Sequence, residues 1–406
     1  MKEKRKIIIA GACIFPGGSG GAARCMHMLA KGFAANGNQV EVVTTYGDDQ
    51  NKREVDIDNF QARSFAYLSG HVSDPRYLNK LKIHFMILAN LLNRTINGDY
   101  DLLLFYGPVL SFALVAAVAA IINRCCVYFM ADIQPKPANM SLVTKLKRLL
   151  INVVDISLAN LSGLVVILGT SKLVQRYARF APKSSRLQIL APADTGMFVG
   201  GNGLRFKEKF NLEGKKIVTY CGTLDTLEGI DILLAGIGIV AQKCPDVVLV
   251  IAGKALDIDQ VLGKKMDFQA FAQDFNAASY TIFTGHLPMQ DVVDLLNASD
   301  VLVMPKIDHP LNHVASPIKI AEYLAAGRPI VSSRICELDK HLKHMEHVIF
   351  CEPGSAKDLA DAINLVLADE TLQSKLSSNA SAIAKSLFDY RTISRMICEH
   401  VFLQRQ

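Results

Sequence analysis

The segment ASPIKIAEYLAAGRPIV (315–331) has residue types and spacing suited to holding a departing anion. Ser316 suits the N-cap of a helix and Pro317 its first position, so a helix is predicted to begin there. The unpaired amides and the dipole of such a start favour a phosphate or diphosphate. Lys319 falls in the first turn, where a cation opposes the helix dipole unless an anion sits beside it. Glu322 lies three residues further on. The competing account is a capped surface helix carrying a Lys319–Glu322 pair at i, i+3.

A second candidate is FPGGSGGAARCMHMLAKGFAANG (15–37), where Gly17, Gly18, Gly20 and Gly21 would let a ligand approach the backbone closely. The strict GxGxxG dinucleotide fingerprint is absent and no convincing acidic partner follows about 20 residues on, which counts against an oxidoreductase. Nine cysteines are scattered without a CxxC pair or metal-type spacing, the pattern of reduced thiols in a cytosolic protein. His286 in FTGHLP, after a strand, could serve as a base or lie beside a ribose, with a plain turn histidine as the favoured account.

The elements that must position these residues follow an α/β rhythm. Strand-like runs are KIIIA (6–10), VEVVTT (40–45), DLLLFY (101–106), VYFM (127–130), LVVILGT (164–170) and RLQILA (186–191) in the first half. In the second half they are KIVTYCG (216–222), VVLVIAG (247–253), YTIFTG (280–285), VLVMP (301–305), PIVSS (329–333) and HVIFCEP (347–353). Helix-periodic segments lie between most of them, which implies parallel sheets covered by helices on both faces. The series runs twice. APADTGMFVGGNG (191–203), rich in glycine and small residues, is the expected linker. Domains are therefore expected at 1–192 and 205–385, with a last helix at 388–406 packing back on the first domain. Two doubly wound, Rossmann-like domains facing across a cleft would place ligands at the carboxyl ends of their strands, one domain serving a donor and the other an acceptor.

A chain of 406 residues, half of them apolar, can bury a core in each domain. Its net charge of +6 fits diphosphate or headgroup partners and is too weak to argue for nucleic acid. The basic start MKEKRKIIIA is read as leading into a buried strand and not as a targeting segment. LLLFYGPVLSFALVAAVAAII (102–122) is long enough for a membrane span, but Gly107 and Pro108 divide it into a buried strand and a buried helix. MSLVTKLKRLLINVV (140–154) carries Lys145, Lys147 and Arg148 beside leucines and valines; it suits either an anionic membrane surface or an ordinary solvated helix.

The order YCGTLDTLEGIDILL, VVLVIAGKA, YTIFTGHLPMQDVVDLLNASDVLVMP, SPIKIAEYLAAGRPIVSS and HVIFCEPGSAKDLADAI closely resembles the donor domain of retaining, GT-B-fold glycosyltransferases of family four, over about 216–368. The resemblance continues more weakly through FPGGSGGAAR, LVVILGTS and the linker. It implies a GT-B fold, a nucleotide-sugar donor and Glu322 as the holder of the ribose hydroxyls, a task a carboxylate suits because it accepts two hydrogen bonds. It also places Gly18 and Gly20 beside the donor phosphate and the acceptor. Asp132, in VYFMADIQPKP, matches the polar residue near the reacting sugar, with a turn aspartate before proline as the alternative.

Two departures stand out. The glutamate that the family places eight residues before Glu322 is Val314 here, with His313 or the 312–316 backbone as substitutes. The arginine and lysine that grip the diphosphate correspond to Thr223 and Glu228. The remaining candidates are Lys319, the backbone around Gly222 and Thr223, and Lys254 and Lys306, the last two read as surface lysines.

Taken together, the resemblance implies transfer of a hexose or N-acetylhexosamine from a nucleotide-sugar to a glycan or lipid-linked acceptor, without a metal or other cofactor. The implied setting is surface polysaccharide, capsule or lipopolysaccharide assembly in the cytoplasm, with a peripheral contact on the inner membrane. The rival readings are a catalytically silent nucleotide-sugar-binding partner subunit and a GT-B-fold nucleotide-sugar epimerase.

Overall fold

A computed structural model describes residues 4–14, 21–46, 54–64, 77–130, 141–259 and 261–403. The chain divides into two compact units, residues 1–192 with 390–406 and residues 193–389.

The strands of the first unit are β1 (Lys6–Ile14), β2 (Gln39–Tyr46), β3 (Glu54–Ile57), β4 (Phe60–Ser64), β5 (Leu102–Tyr106), β6 (Cys126–Met130), β7 (Leu164–Leu168) and β8 (Ser185–Ile189). They form one sheet in the order β3-β4-β2-β1-β5-β6-β7-β8. Its central members β5, β6 and β7 are buried at every position, as continuous apolar runs require when both faces are covered. The helices are α1 (Gly21–Ala35), α2 (Tyr77–Asn97), α3 (Leu110–Ile121), α4 (Leu142–Leu161) and α5 (Ser171–Phe180).

Two expectations are corrected here. β3 and β4 were not legible, and β3 runs antiparallel to β4 on an otherwise parallel sheet. The turn between them holds Asp58 and Asn59 at φ 46° and 68°, the left-handed pair that closes a two-residue hairpin. Helix α3 is not fully buried: Phe112, Val115, Ala116 and Ala119 pack inward, but Leu110 and Ile121 are 66 % and 83 % exposed.

The second unit contains α6 (Gly203–Phe210), β9 (Lys216–Cys221), α7 (Ile230–Lys243), β10 (Val247–Ala252), α8 (Phe268–Asp274), β11 (Thr281–Gly285), α9 (Met289–Ala298), β12 (Val301–Met304), α10 (Ile318–Ala325), β13 (Ile330–Ser333), β14 (Ile349–Cys351), α11 (Ala356–Ala368) and α12 (Glu370–Leu387). Its six strands are parallel and ordered β11-β10-β9-β12-β13-β14. The order reverses between β9 and β12, which makes their carboxyl ends the crevice where ligands of open α/β sheets bind.

The expected linker is built into this unit. Thr195 donates to Asp389 at 2.6 Å, and the Asn202 amide donates to Asp294 at 2.9 Å. A Cβ on Gly201 would come within 2.7 Å of Asn297 and Val293, so this glycine permits close packing and not looseness. The last helix, α13 (Tyr390–Leu403), returns to the first unit, where Ser394 donates to the Leu29 carbonyl of α1. Gly32 leaves room for that crossing, since a Cβ there would collide with Tyr390 and Ser394.

Candidate functional site

The carboxyl end of β9 delivers Tyr220, Cys221, Gly222 and Thr223 to the switch point of the second sheet. A short 3-10 turn, Thr226–Glu228, follows and is capped by Asp225, whose carboxylate accepts from the Leu227 amide at 3.1 Å. That turn aims Glu228 back over the strand end. The Glu228 carboxylate lies 2.7 Å from Lys306 Nζ and 2.6 Å from Lys319 Nζ. Lys319 also donates to Tyr220 Oη at 2.9 Å and stands 4.8 Å from the centroid of that ring. Tyr220 Oη in turn donates to the Thr223 carbonyl at 2.6 Å. Lys306 donates to Asn312 Oδ1 at 3.1 Å, and Asn312 Nδ2 donates to the Leu227 and Ile307 carbonyls.

The electrostatics follow from burial. Burial alone would raise the Glu228 carboxyl, but the two lysines overcome it and hold the group at about 2. Burial lowers Lys319 from its ordinary range, against the pull of Glu228. Burial pushes the Tyr220 and Tyr323 hydroxyls well above theirs. The three charged groups, largely shielded from water, carry one excess positive charge, which would attract an added anion.

Helix α10 begins beside this cluster. It starts at Ile318 with Pro317 at the N-cap position, one residue later than expected, and no side chain caps it. Pro317 has ψ 120°, so the chain is still extended there, and Ser316 stands one residue too early to cap. The first amides of α10 therefore lack a side-chain acceptor, and Lys319 sits in the first turn. Ser316 and Lys319 are half-buried, while Glu322 is 7 % exposed on the same helix. Tyr323 ties α10 to β9: its hydroxyl accepts from the Cys221 amide at 2.8 Å.

Several expectations change. Lys319 pairs with Glu228, 91 residues away. Lys306 is 6 % exposed and ion-paired, not a solvated surface lysine. Gly222 is not an open amide donor, because its N–H already bonds to the Ala252 carbonyl at 2.8 Å. Its part is room: at φ +153° a Cβ there would meet the Lys319 chain at 2.8–3.1 Å. Thr223 is exposed beside it. Lys254 and His286 are exposed, and His313 is 2.6 Å from Asp308. Gly18, Gly20 and Asp132 lie outside the described residues, and α1 starts at Gly21. Among the described residues, no group of three or more His, Cys, Asp or Glu could hold a metal ion.

Glu228 is the residue that sequence reasoning missed, because it registered only as the loss of a family cation. Lys306 was the available signal, an unpaired-looking lysine directly after a buried strand.

Residues 204–382 match the family model described as Glycosyl transferases group 1. Among curated proteins, the chain is 24 % identical over 193 residues to mannosylfructose-phosphate synthase of Agrobacterium fabrum, covering 47 % of this chain and 41 % of that one. It is 26 % identical over 181 residues to glycogen synthase of Mycobacterium tuberculosis, covering 45 % and 41 %. The chain thus spans less than half the length of these relatives. Among solved structures, Anabaena Alr3699/HepE in complex with UDP matches with a TM-score of 0.72 at 20 % identity, covering 99 % of this chain and 100 % of that one. Sucrose-phosphate synthase from Thermosynechococcus elongatus matches with a TM-score of 0.73 at 16 % identity, covering 99 % of both. The fold is α/β of the GT-B type. Its second unit carries the region that matches the group 1 glycosyl transferases.

Proposed function

We propose that this chain is a glycosyltransferase that moves a hexose or N-acetylhexosamine from a nucleotide-sugar to a glycan or lipid-linked acceptor, with retention at the anomeric carbon. The observation that carries this reading is the uncapped start of α10 with Lys319 in its first turn, at the switch point between β9 and β12. When the sugar leaves, negative charge grows on the departing diphosphate. The amides of α10 and the Lys319 ammonium are fixed donors placed to stabilise it without a metal. Glu322 would hold the ribose hydroxyls. By the resemblance, Gly18 and Asp132 would serve the acceptor. A uridine nucleotide is the first donor to try, because a GT-B-fold neighbour holds UDP.

Assembly of surface polysaccharide, capsule or lipopolysaccharide in the cytoplasm, at the inner face of the membrane, is the setting that fits a lipid-linked acceptor. Among the described residues, no helix is long and apolar enough to cross a membrane. Charge inversion at Glu228 favours one competing reading, a silent nucleotide-sugar-binding partner.

Incubation with a panel of nucleotide-sugars and a lipid or glycan acceptor separates the readings. A transferase releases nucleoside diphosphate and an epimerase changes the sugar without release. A silent partner does neither, and that result would end the transferase reading.

A further inference from the structure

Helix α4 presents two opposed faces along its length. Its second half buries Asp155, Leu158 and Ala159 against the first unit, where Asp155 accepts from Tyr128 Oη at 2.7 Å and Tyr177 Oη at 2.6 Å. Its first half carries Leu142, Val143, Leu146, Leu149, Leu150 and Val153, each between 55 % and 83 % exposed. At 3.6 residues per turn these six form one stripe, roughly 170° around the helix from the buried side. The apolar stripe therefore points away from the core that a surface helix normally serves. Exposed Lys145 and Lys147 border it on its two sides.

The neighbouring helix repeats the pattern. In α3, Leu110, Leu114 and Ile121 are 51–83 % exposed and lie opposite Phe112, Ala116 and Ala119. Among the described residues between 102 and 154, every charged residue is basic: Arg124, Lys145, Lys147 and Arg148. An apolar face this large marks an interaction site. A second copy would set these cations against their own kind, whereas a bilayer with anionic headgroups complements both the stripe and its border.

We propose that the first half of α4, flanked by α3, lies in the headgroup region of a bilayer containing anionic phospholipid. This deepens the membrane part of the proposed function and does not depend on the donor site. The leucines and valines enter the acyl boundary, and Lys145 and Lys147 extend sideways to phosphate.

The test is co-sedimentation of the full chain with vesicles of phosphatidylcholine alone or with added phosphatidylglycerol. Binding is expected only with phosphatidylglycerol, and it should weaken as salt rises. Leu146→Glu/Leu149→Glu/Val153→Glu should cut that binding by at least about tenfold. Lys145→Gln/Lys147→Gln should cut it by about fivefold per lysine. The substituted side chains are exposed, so thermal unfolding should be unchanged. Absence of vesicle binding by the wild type overturns the proposal, as does a triple variant that binds equally well. A wild-type dimer that the triple variant converts to monomer would assign the stripe to self-association instead. Stabilisation by UDP, measured on the same variants, reports the donor site separately: its loss alone would count against the transferase reading and not against this one.

Discussion

Glu228 stands 2.6 Å from Lys319 and occupies, by resemblance, the position of a cation that grips the donor diphosphate. Lys319, in the first turn of α10, places a cation beside that position and pairs with the carboxylate. Breaking a buried pair by removing one partner costs about 3–5 kcal/mol, because the other charge is left uncompensated. Glu228→Ala should therefore destabilise the free protein by that order in denaturant unfolding. A nucleoside diphosphate should restore part of the loss, so its stabilising effect should be larger in the variant than in the wild type. Equal ligand effects in both proteins would mean that Lys319 does not meet the diphosphate.

Acid should loosen the same unit. Glu228 is held at about 2 against an ordinary 4.5, and Asp259 at about 2 against 3.8. Asp259 is buried and accepts from the Thr226, Val261 and Leu262 amides at 2.7–2.9 Å, which offsets its burial. Both folded values are depressed, so the stabilisation is complete above the unfolded values and is lost as pH falls toward 2. For Glu228 the shift corresponds to about 3 kcal/mol. Unfolding free energy should stay nearly level from pH 7 to 5 and fall steeply below 4.5, with a shallower fall in Asp259→Asn. A flat profile down to pH 3 in the wild type would contradict the charge assignments.

Gly222 offers a steric test. Alanine there must adopt φ +153° and displace the Lys319 chain. The chain is flexible, so stability should fall by only about 1–2 kcal/mol, mostly from backbone strain. Diphosphate binding should weaken by about tenfold, the worth of one charge-assisted hydrogen bond. Calorimetric titration of Gly222→Ala with UDP checks this.

The Tyr323 hydroxyl joins α10 to β9 through the Cys221 amide. Tyr323→Phe should remove that bond from a half-buried amide and cost about 1 kcal/mol in thermal unfolding. An unchanged midpoint would show that the bond does not hold α10 in place.

Much of the fold was legible because parallel strands buried on both faces read as unbroken apolar runs, as in LLLFY and VVLVIA. The hairpin of β3 and β4 escaped because EVDI and FQARS are short, half polar and at a sheet edge. The start of α10 was misplaced by one residue because proline at the N-cap position made Ser316 look like the cap. The pairing of Lys319 with Glu228 has no local period at all, since it depends on β9 and α10 meeting at the switch point. Helix α3 read as buried because composition alone does not tell an inward apolar face from an outward one.

The most direct measurement is binding of UDP, and of other nucleoside diphosphates, by thermal shift and calorimetric titration in the wild type, Lys319→Ala and Glu322→Ala. If α10 holds the donor, the preferred diphosphate should clearly stabilise the wild type. Binding should weaken strongly in Lys319→Ala, and the nucleoside-dependent part should disappear in Glu322→Ala. Wild-type affinity in both variants would contradict that placement.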